Sequence, residues 1–253
     1  MALLKAFCYF ALWILVQLAV EIFLGVALAL VKGQSAMAYY ESLVIHISII
    51  CNCLTVLLLA GYSFLRGSSL SERAYINKMP ARFSVSMVIM GVSFCYTIAV
   101  LLGLIDMAGL FPDSWVTMLE ETNSSLLSAP PVINFICVVI MAPVLEEILF
   151  RGFILGALKK AMHPWVAIFI SALVFGIAHG TPIGIIYATA LGIVMGWICV
   201  KFDSVVPSII FHMAYNGAVS YNEGVSVIAV IIAVPVLIFE FIDINRYFRG
   251  EKR

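Results

Sequence analysis

The chain has 253 residues, of which 64% are hydrophobic and 11% are charged, whereas about a quarter of the residues in a typical soluble domain are charged. This composition excludes an ordinary soluble domain and predicts a polytopic membrane protein. The 14 Lys and Arg residues balance the 14 Asp and Glu residues, so the net charge gives no indication of a nucleic-acid partner.

Hydropathy predicts about eight transmembrane helices, which makes the fold class all-α. They lie near 4–31, 42–65, 84–110, 131–158, 165–181, 183–200, 204–221 and 225–243. The whole chain, 1–253, is then a single integral membrane domain. Within it, N-terminal helices occupy 1–110 and the catalytic core, helices 4–7, occupies 131–221.

The first predicted span needs one check, because Ala27-Leu-Ala29 follows an apolar stretch and could mimic a signal-peptidase site. The apolar run from Ala6 to Val31 is longer than the roughly 7–15 residues of a signal-peptide core. It also contains Gln17 and Glu21. We therefore expect a first span that is retained.

The distribution of Lys and Arg predicts the orientation. If the N-terminus is cytoplasmic, nearly all of these residues fall on the inner side, Lys32 falls outside, and Arg151 lies within a span. Positive residues concentrate on the cytoplasmic side of membrane proteins. We therefore expect both termini in the cytoplasm, a pattern that fits a bacterial inner (plasma) membrane and would also fit the endoplasmic reticulum.

The outer connection 111–130 is either a short interfacial helix or a plain loop.

Glycine spacing differs between the two halves of the chain. Glycines four residues apart let membrane helices pack closely. Such pairs occur on predicted spans four to six, at Gly152/Gly156, Gly176/Gly180 and Gly192/Gly196. This spacing predicts a tight core in the second half, with spans one to three as a surrounding wall.

Three ionisable residues interrupt the apolar run of the fourth span, namely Glu146, Glu147 and Arg151. Ionisable groups inside a membrane usually face protein or water and have a function. Glu147 and Arg151 are four residues apart and can form an ion pair on one helix face, whereas Glu146 must find a partner on another helix. The alternative is a purely structural ion-pair cluster.

Further polar groups occur on the later spans: His179 closes Phe175-Gly-Ile-Ala-His179 in the fifth span, and His212 and Asn216 share a face of the seventh. Together with Glu146 they could hydrolyse a peptide bond or bind zinc with an open water position. They could also be polar contacts between helices. We expect His163 to be a loop residue and His46 to be a packing or headgroup-level residue.

Three short segments resemble sequence motifs of a known family. Glu146-Glu147-Ile-Leu-Phe-Arg151, Phe175-Gly-Ile-Ala-His179 and His212-Met-Ala-Tyr-Asn216 are similar to the motifs of the CPBP intramembrane proteases. This family, also called Abi, includes CAAX prenyl endopeptidases and bacteriocin-processing and self-immunity proteins.

The resemblance implies a role for each motif residue. Glu146 would activate the attacking water, His179 would assist it, and His212 with Asn216 would stabilise the oxyanion. The supporting pair would be Glu147 and Arg151.

The resemblance also leaves several questions open. A metalloendopeptidase would bind zinc or another divalent metal through Glu146, His179 and His212, while a glutamate-only mechanism needs no metal. The partners would be a membrane-embedded or membrane-associated protein or peptide substrate and the lipid bilayer. Two alternatives are an ion- or proton-coupled transporter and a non-catalytic immunity or scaffold protein of the same fold.

Overall fold

The computed structural model describes residues 1–127, 130–220 and 227–250, and these residues form helices and turns without a strand. The helices are α1 Ala2–Lys32, α2 Ala36–Leu65, α3 Leu70–Arg73, α4 Arg82–Met107, α5 Asp113–Leu127, α6 Pro131–Leu158, α7 Pro164–Ile177, α8 Pro182–Phe202, α9 Val206–Ser220 and α10 Val227–Phe248. The all-α class is therefore confirmed.

Eight of these helices coincide with the eight predicted spans. Five helices of the described residues are long and apolar enough to cross a membrane, in α1, α2, α4, α6 and α8, which confirms a polytopic membrane protein. Helix α7 has 14 residues and α9 has 15, so each covers only about 21–23 Å. The predicted ends at 221 and 225 lie outside the described residues.

Proline marks the start of three core helices. Pro131, Pro164 and Pro182 each occupy the first helical turn, where the missing N–H is not needed and the fixed φ suits a helix. Thr181 caps α8 by accepting a hydrogen bond from the Gly184 N–H at 3.1 Å. These local signals separate α7 from α8 with only a short turn.

Small residues hold the core helices close together. A methyl group added at Gly192 of α8 would lie 2.9 Å from Cα of Ala172 in α7, so these two backbones are in near contact. One added at Gly91 of α4 would lie 2.9 Å from Cβ of Ala214 in α9. Since α4 packs against α9 and α10, the prediction that spans one to three are only a wall is wrong for the third span.

Three of the predicted glycines do not pack helix against helix. Gly152 and Gly156 of α6 face Ala74 and Tyr75 of the connection between α3 and α4. Gly180 has open space around its Cα and a φ of +75°, because it forms the turn after α7. The sequence spacing alone did not distinguish a packing glycine from a turn glycine.

One end of the helix bundle is closed by a set of contacts that we call the clasp, formed by Tyr75, Asn77, Lys159, Asp203 and Val205. Nδ2 of Asn77 donates to the Asp203 carbonyl at 2.6 Å, and the Val205 N–H donates to the Tyr75 carbonyl at 3.0 Å. Nζ of Lys159 lies 2.9 Å from Oδ1 of Asp203 and 3.9 Å from the centre of the Tyr75 ring. The clasp therefore joins three connections at one end of the bundle.

The opposite end carries α5, the helix that was one of two alternatives for the connection 111–130. It contacts α2 and α8, and Leu119, Thr122 and Asn123 line a cavity beneath it. The helical alternative is therefore the one adopted.

Candidate functional site

A cavity of about 750 Å³ brings the predicted site residues together. Glu146 from α6, His179 from the turn after α7, and His212 and Asn216 from α9 all line it. His212 is buried, whereas the other three side chains are partly exposed and reach the open space. This volume is within the range of about 300–1,000 Å³ that is usual for ligand pockets.

The predicted pair of Glu147 and Arg151 lies behind the cavity wall. Oε1 of Glu147 is 3.2 Å from a guanidinium nitrogen of Arg151, and both side chains are fully buried. The guanidinium also lies over the Phe175 ring, 4.2 Å from its centre. Since a buried charge needs a compensating charge, each member of the pair stabilises the other.

A contact that the sequence did not predict connects this pair to the cavity. Nδ1 of His212 lies 3.2 Å from Oε1 of Glu147. An ionised carboxylate only accepts hydrogen bonds, so Nδ1 of His212 is the donor. In the neutral ring Nε2 then has a free lone pair, an arrangement comparable to the carboxylate that orients the histidine in serine proteases.

His179 is fixed in the same tautomer by a different partner. Its Nδ1 lies 2.9 Å from the carbonyl oxygen of Phe175, which can only accept, so Nε2 is again the free nitrogen. The helix ends at Ile177, four residues before the predicted end of the span at 181, and His179 therefore lies on a turn. The rings of Phe175 and Tyr187 pack edge-on against it, with centroids 4.7 and 5.9 Å away.

The Asn216 amide is oriented by α6. Its Nδ2 donates to the carbonyl oxygen of Val138 at 2.9 Å. An amide nitrogen carries two hydrogens, so one N–H remains for a group in the cavity.

Helix α6 is irregular on both sides of the two glutamates. Residues Phe135–Met141 and Ile148–Leu155 form π-helical turns, whereas Ala142–Glu147 is α-helical. A π-helical turn accommodates more residues than an α-helical one and is frequent at functional sites. The irregularity frees carbonyl groups such as that of Val138 for side-chain contacts.

The predicted metal set does not fit an ion as the side chains are arranged. Each of the two histidines offers a free Nε2, which is the type of donor that zinc prefers. Yet within 1–127, 130–220 and 227–250, no three His, Cys, Asp or Glu side chains are grouped so that they could hold a metal ion together. We therefore derive no catalytic step through a metal, and the metal stays a prediction.

Several cavity residues were not predicted as part of a site. Nε1 of Trp13 in α1 donates to Oδ1 of Asn52 in α2 at 3.0 Å, and both line the cavity together with Gln17, Glu21 and Tyr187. Gln17 and Glu21 are polar residues four apart in an apolar run, so their spacing was a usable signal. In the sequence alone, these two polar residues count only against a signal peptide.

Comparison with known proteins finds a family match over part of the chain. Residues 128–218 match the family described as type II CAAX prenyl endopeptidase Rce1-like. This range contains all three motifs. The match agrees with the resemblance of these motifs to the CPBP proteases.

A relative of this chain is the Bacillus subtilis (strain 168) protein named "Putative membrane peptidase YdiL". The two chains are 29% identical over 99 residues, which cover 38% of this chain and 41% of the relative. The match thus spans about two fifths of the relative's length. No solved structure matches the chain significantly.

Proposed function

We propose that this protein is an intramembrane endopeptidase that hydrolyses a peptide bond of a membrane-associated protein or peptide. One observation carries the proposal: Glu146, His179, His212 and Asn216 all line one cavity, and all lie within the matched family region. Helices α1 and α2 complete the cavity wall, and their apolar outer faces suit a bilayer.

In this proposal Glu146 is the general base. A water molecule in the cavity donates one hydrogen to the Glu146 carboxylate and the other to Nε2 of His179. Glu146 removes the first proton, and the resulting hydroxide attacks the carbonyl carbon of the substrate. Nδ1 of His179 is already engaged by Phe175, so the ring presents Nε2 in a fixed direction.

The tetrahedral intermediate carries a negative oxygen that needs donors. The second N–H of Asn216 is one donor, and Nε2–H of His212 is the other when the ring is protonated. Glu147 supplies the counter-charge to that imidazolium through its contact with Nδ1. The carboxyl of Glu146 then gives its proton to the amine nitrogen, the C–N bond breaks, and a carboxylic acid and an amine leave.

This assignment gives Glu147 and Arg151 a supporting function. Arg151 holds Glu147 in place, and Glu147 orients His212. The proposal includes the predicted location, a bacterial inner membrane with both termini in the cytoplasm.

The test is cleavage of membrane peptides by the purified protein in lipid nanodiscs, comparing wild type with Glu146→Gln. This substitution keeps the size of the side chain and removes the base. Glu120→Gln is the matched control, because Glu120 is an exposed acid on α5. We expect Glu146→Gln to lower kcat by roughly 10²-fold or more and Glu120→Gln to cleave at the wild-type rate.

The same measurement distinguishes the alternatives. Cleavage by Glu146→Gln at the wild-type rate would refute the role of Glu146. If wild type cleaves no peptide but moves protons or ions across a liposome membrane, and this flux depends on Glu146, the protein is a transporter. If neither activity is found and Glu146→Gln still complements a deletion strain, the non-catalytic alternative holds.

A further inference from the structure

The cavity extends beyond the proposed catalytic groups to a second acidic position on α1. Glu21 and Gln17 are four residues apart, so they share one face of the helix, and both line the cavity. Tyr40 of α2 lines it as well and lies within electrostatic reach of Glu21. None of these three residues has a part in the proposed hydrolysis.

Glu21 has no positive partner in the described part of the chain. None of the ion pairs seen among the described residues includes Glu21, and no lysine or arginine is among the residues that line the cavity. A carboxylate within a membrane segment normally faces a partner or a pathway. The missing positive charge is therefore one that a ligand could supply.

Ring contacts connect Trp13, which lies about two helical turns before Glu21 on α1, to the catalytic groups. The centroid of Trp13 is 6.0 Å from that of Phe150, which contacts Phe175, which in turn contacts His179. Glu21 follows Trp13 by eight residues, which is about 12 Å along the helix axis. An extended peptide covers this length with about four residues.

We propose that Glu21, assisted by Gln17, binds a basic side chain of the peptide substrate at a fixed register from the cleaved bond. The proposal rests on the endopeptidase function proposed above. The cavity wall is mainly apolar apart from these groups, which suits the long apolar stem and charged end of lysine or arginine. A free metal ion would need more oxygen ligands than Glu21 and Gln17 provide.

The experiment uses the full-length protein in nanodiscs and a set of Ala/Leu-rich peptides. Each peptide carries one lysine at a successive position, and its partner carries uncharged norleucine there. The ratio of kcat/KM for the lysine peptide to that for the norleucine peptide is measured for wild type, Glu21→Gln, Glu21→Lys and the control Glu120→Gln. Mass spectrometry locates each cleaved bond relative to the lysine.

We expect wild type and Glu120→Gln to prefer lysine at one register. Glu21→Gln should lose about tenfold or more of this preference, the size typical of one charge-assisted hydrogen bond. Glu21→Lys should reverse the preference, so that the norleucine peptide is cleaved better than the lysine peptide at the same register. A preference that is absent in wild type, or unchanged in Glu21→Gln, would overturn the inference while leaving the endopeptidase proposal intact.

If wild type cleaves none of the peptides, the endopeptidase proposal fails, and binding decides the inference separately. The dissociation constants of the same lysine and norleucine peptides are then measured by fluorescence. Tighter binding of the lysine peptide that disappears in Glu21→Gln would support a cation site without hydrolysis. Equal binding of both peptides would overturn it.

Discussion

Breaking the buried pair of Glu147 and Arg151 is the perturbation whose outcome the structure defines best. Both side chains have no solvent exposure, and their charged atoms are 3.2 Å apart. Removing one member of a buried ion pair typically costs about 3–5 kcal/mol, whereas replacing both by apolar residues is often neutral or stabilising. We therefore expect each single variant, Glu147→Leu and Arg151→Met, to lose about 3–5 kcal/mol, and the double variant to lose far less than their sum.

The two single variants should also differ from each other. Glu147→Leu leaves a buried guanidinium that cannot release its proton, and the Phe175 ring is its remaining contact among those described above. Arg151→Met leaves a carboxyl that keeps His212 as a partner and can take up a proton at low pH. The loss in Arg151→Met should therefore shrink as the pH is lowered, and the loss in Glu147→Leu should not.

The assay is reversible unfolding in mixed micelles, followed by circular dichroism and analysed as a double-mutant cycle. We expect a coupling free energy of at least about 3 kcal/mol. The control cycle uses Lys159 and Asp203, whose side chains are 20% and 67% exposed, so their coupling should be about 0–1 kcal/mol. Additive single effects at Glu147 and Arg151, or equal coupling in the two cycles, would refute this reasoning.

Three further predictions test packing, metal dependence and pH. Gly192→Ala should destabilise the protein by about 1–3 kcal/mol because the added methyl meets Ala172. A methyl added at Gly61 meets nothing within 4 Å, so the control Gly61→Ala should be neutral or stabilising. Thermal unfolding in detergent compares the two variants. If a metal binds the free histidine nitrogens, a zinc chelator should abolish peptide cleavage and added zinc should restore it, while cleavage that survives complete metal removal would refute the metal prediction. The hydrogen bond from the Ser69 N–H at 2.8 Å holds the pKa of Glu72 below its ordinary value. The stabilisation from this helix cap is therefore complete above about pH 4.3 and is lost as the pH falls through the lowered pKa. Hydrogen exchange of the Ser69 amide should accelerate in that acidic range and not at neutral pH.

Much of the fold was predictable because a membrane restricts the choices. Long apolar runs can only be helices in a bilayer, so the eight segments followed from hydropathy. The pairing of Glu147 with Arg151 was also predictable, since both lie on one helix and a separation of four residues fixes their geometry. Gly192 and Gly196 were correctly expected at a helix contact, because α8 is regular around them.

Other features depend on information that a single sequence does not contain. The rotation of α9 about its own axis decides that His212 faces Glu147, and this rotation is set by packing against α4 and α6. The π-helical turn over Phe135–Met141 changes the register of α6, and no proline or glycine within this segment indicates it in the sequence. Glu21 was visible in the sequence, but only the cavity relates it to a site on distant helices.

The clasp has a consequence for how the protein is made. Asn77 and Asp203 are 126 residues apart in the chain, and membrane helices insert before they pack against one another. While the ribosome is still synthesising α8, the segment around Ala74 and Tyr75 can contact α6 and Lys159 among its later partners. The clasp closes only after residue 205 has emerged, so it is a late step of assembly. A nascent chain stalled earlier would hold this segment from one side only, without its hydrogen bonds to the backbone of Asp203 and Val205.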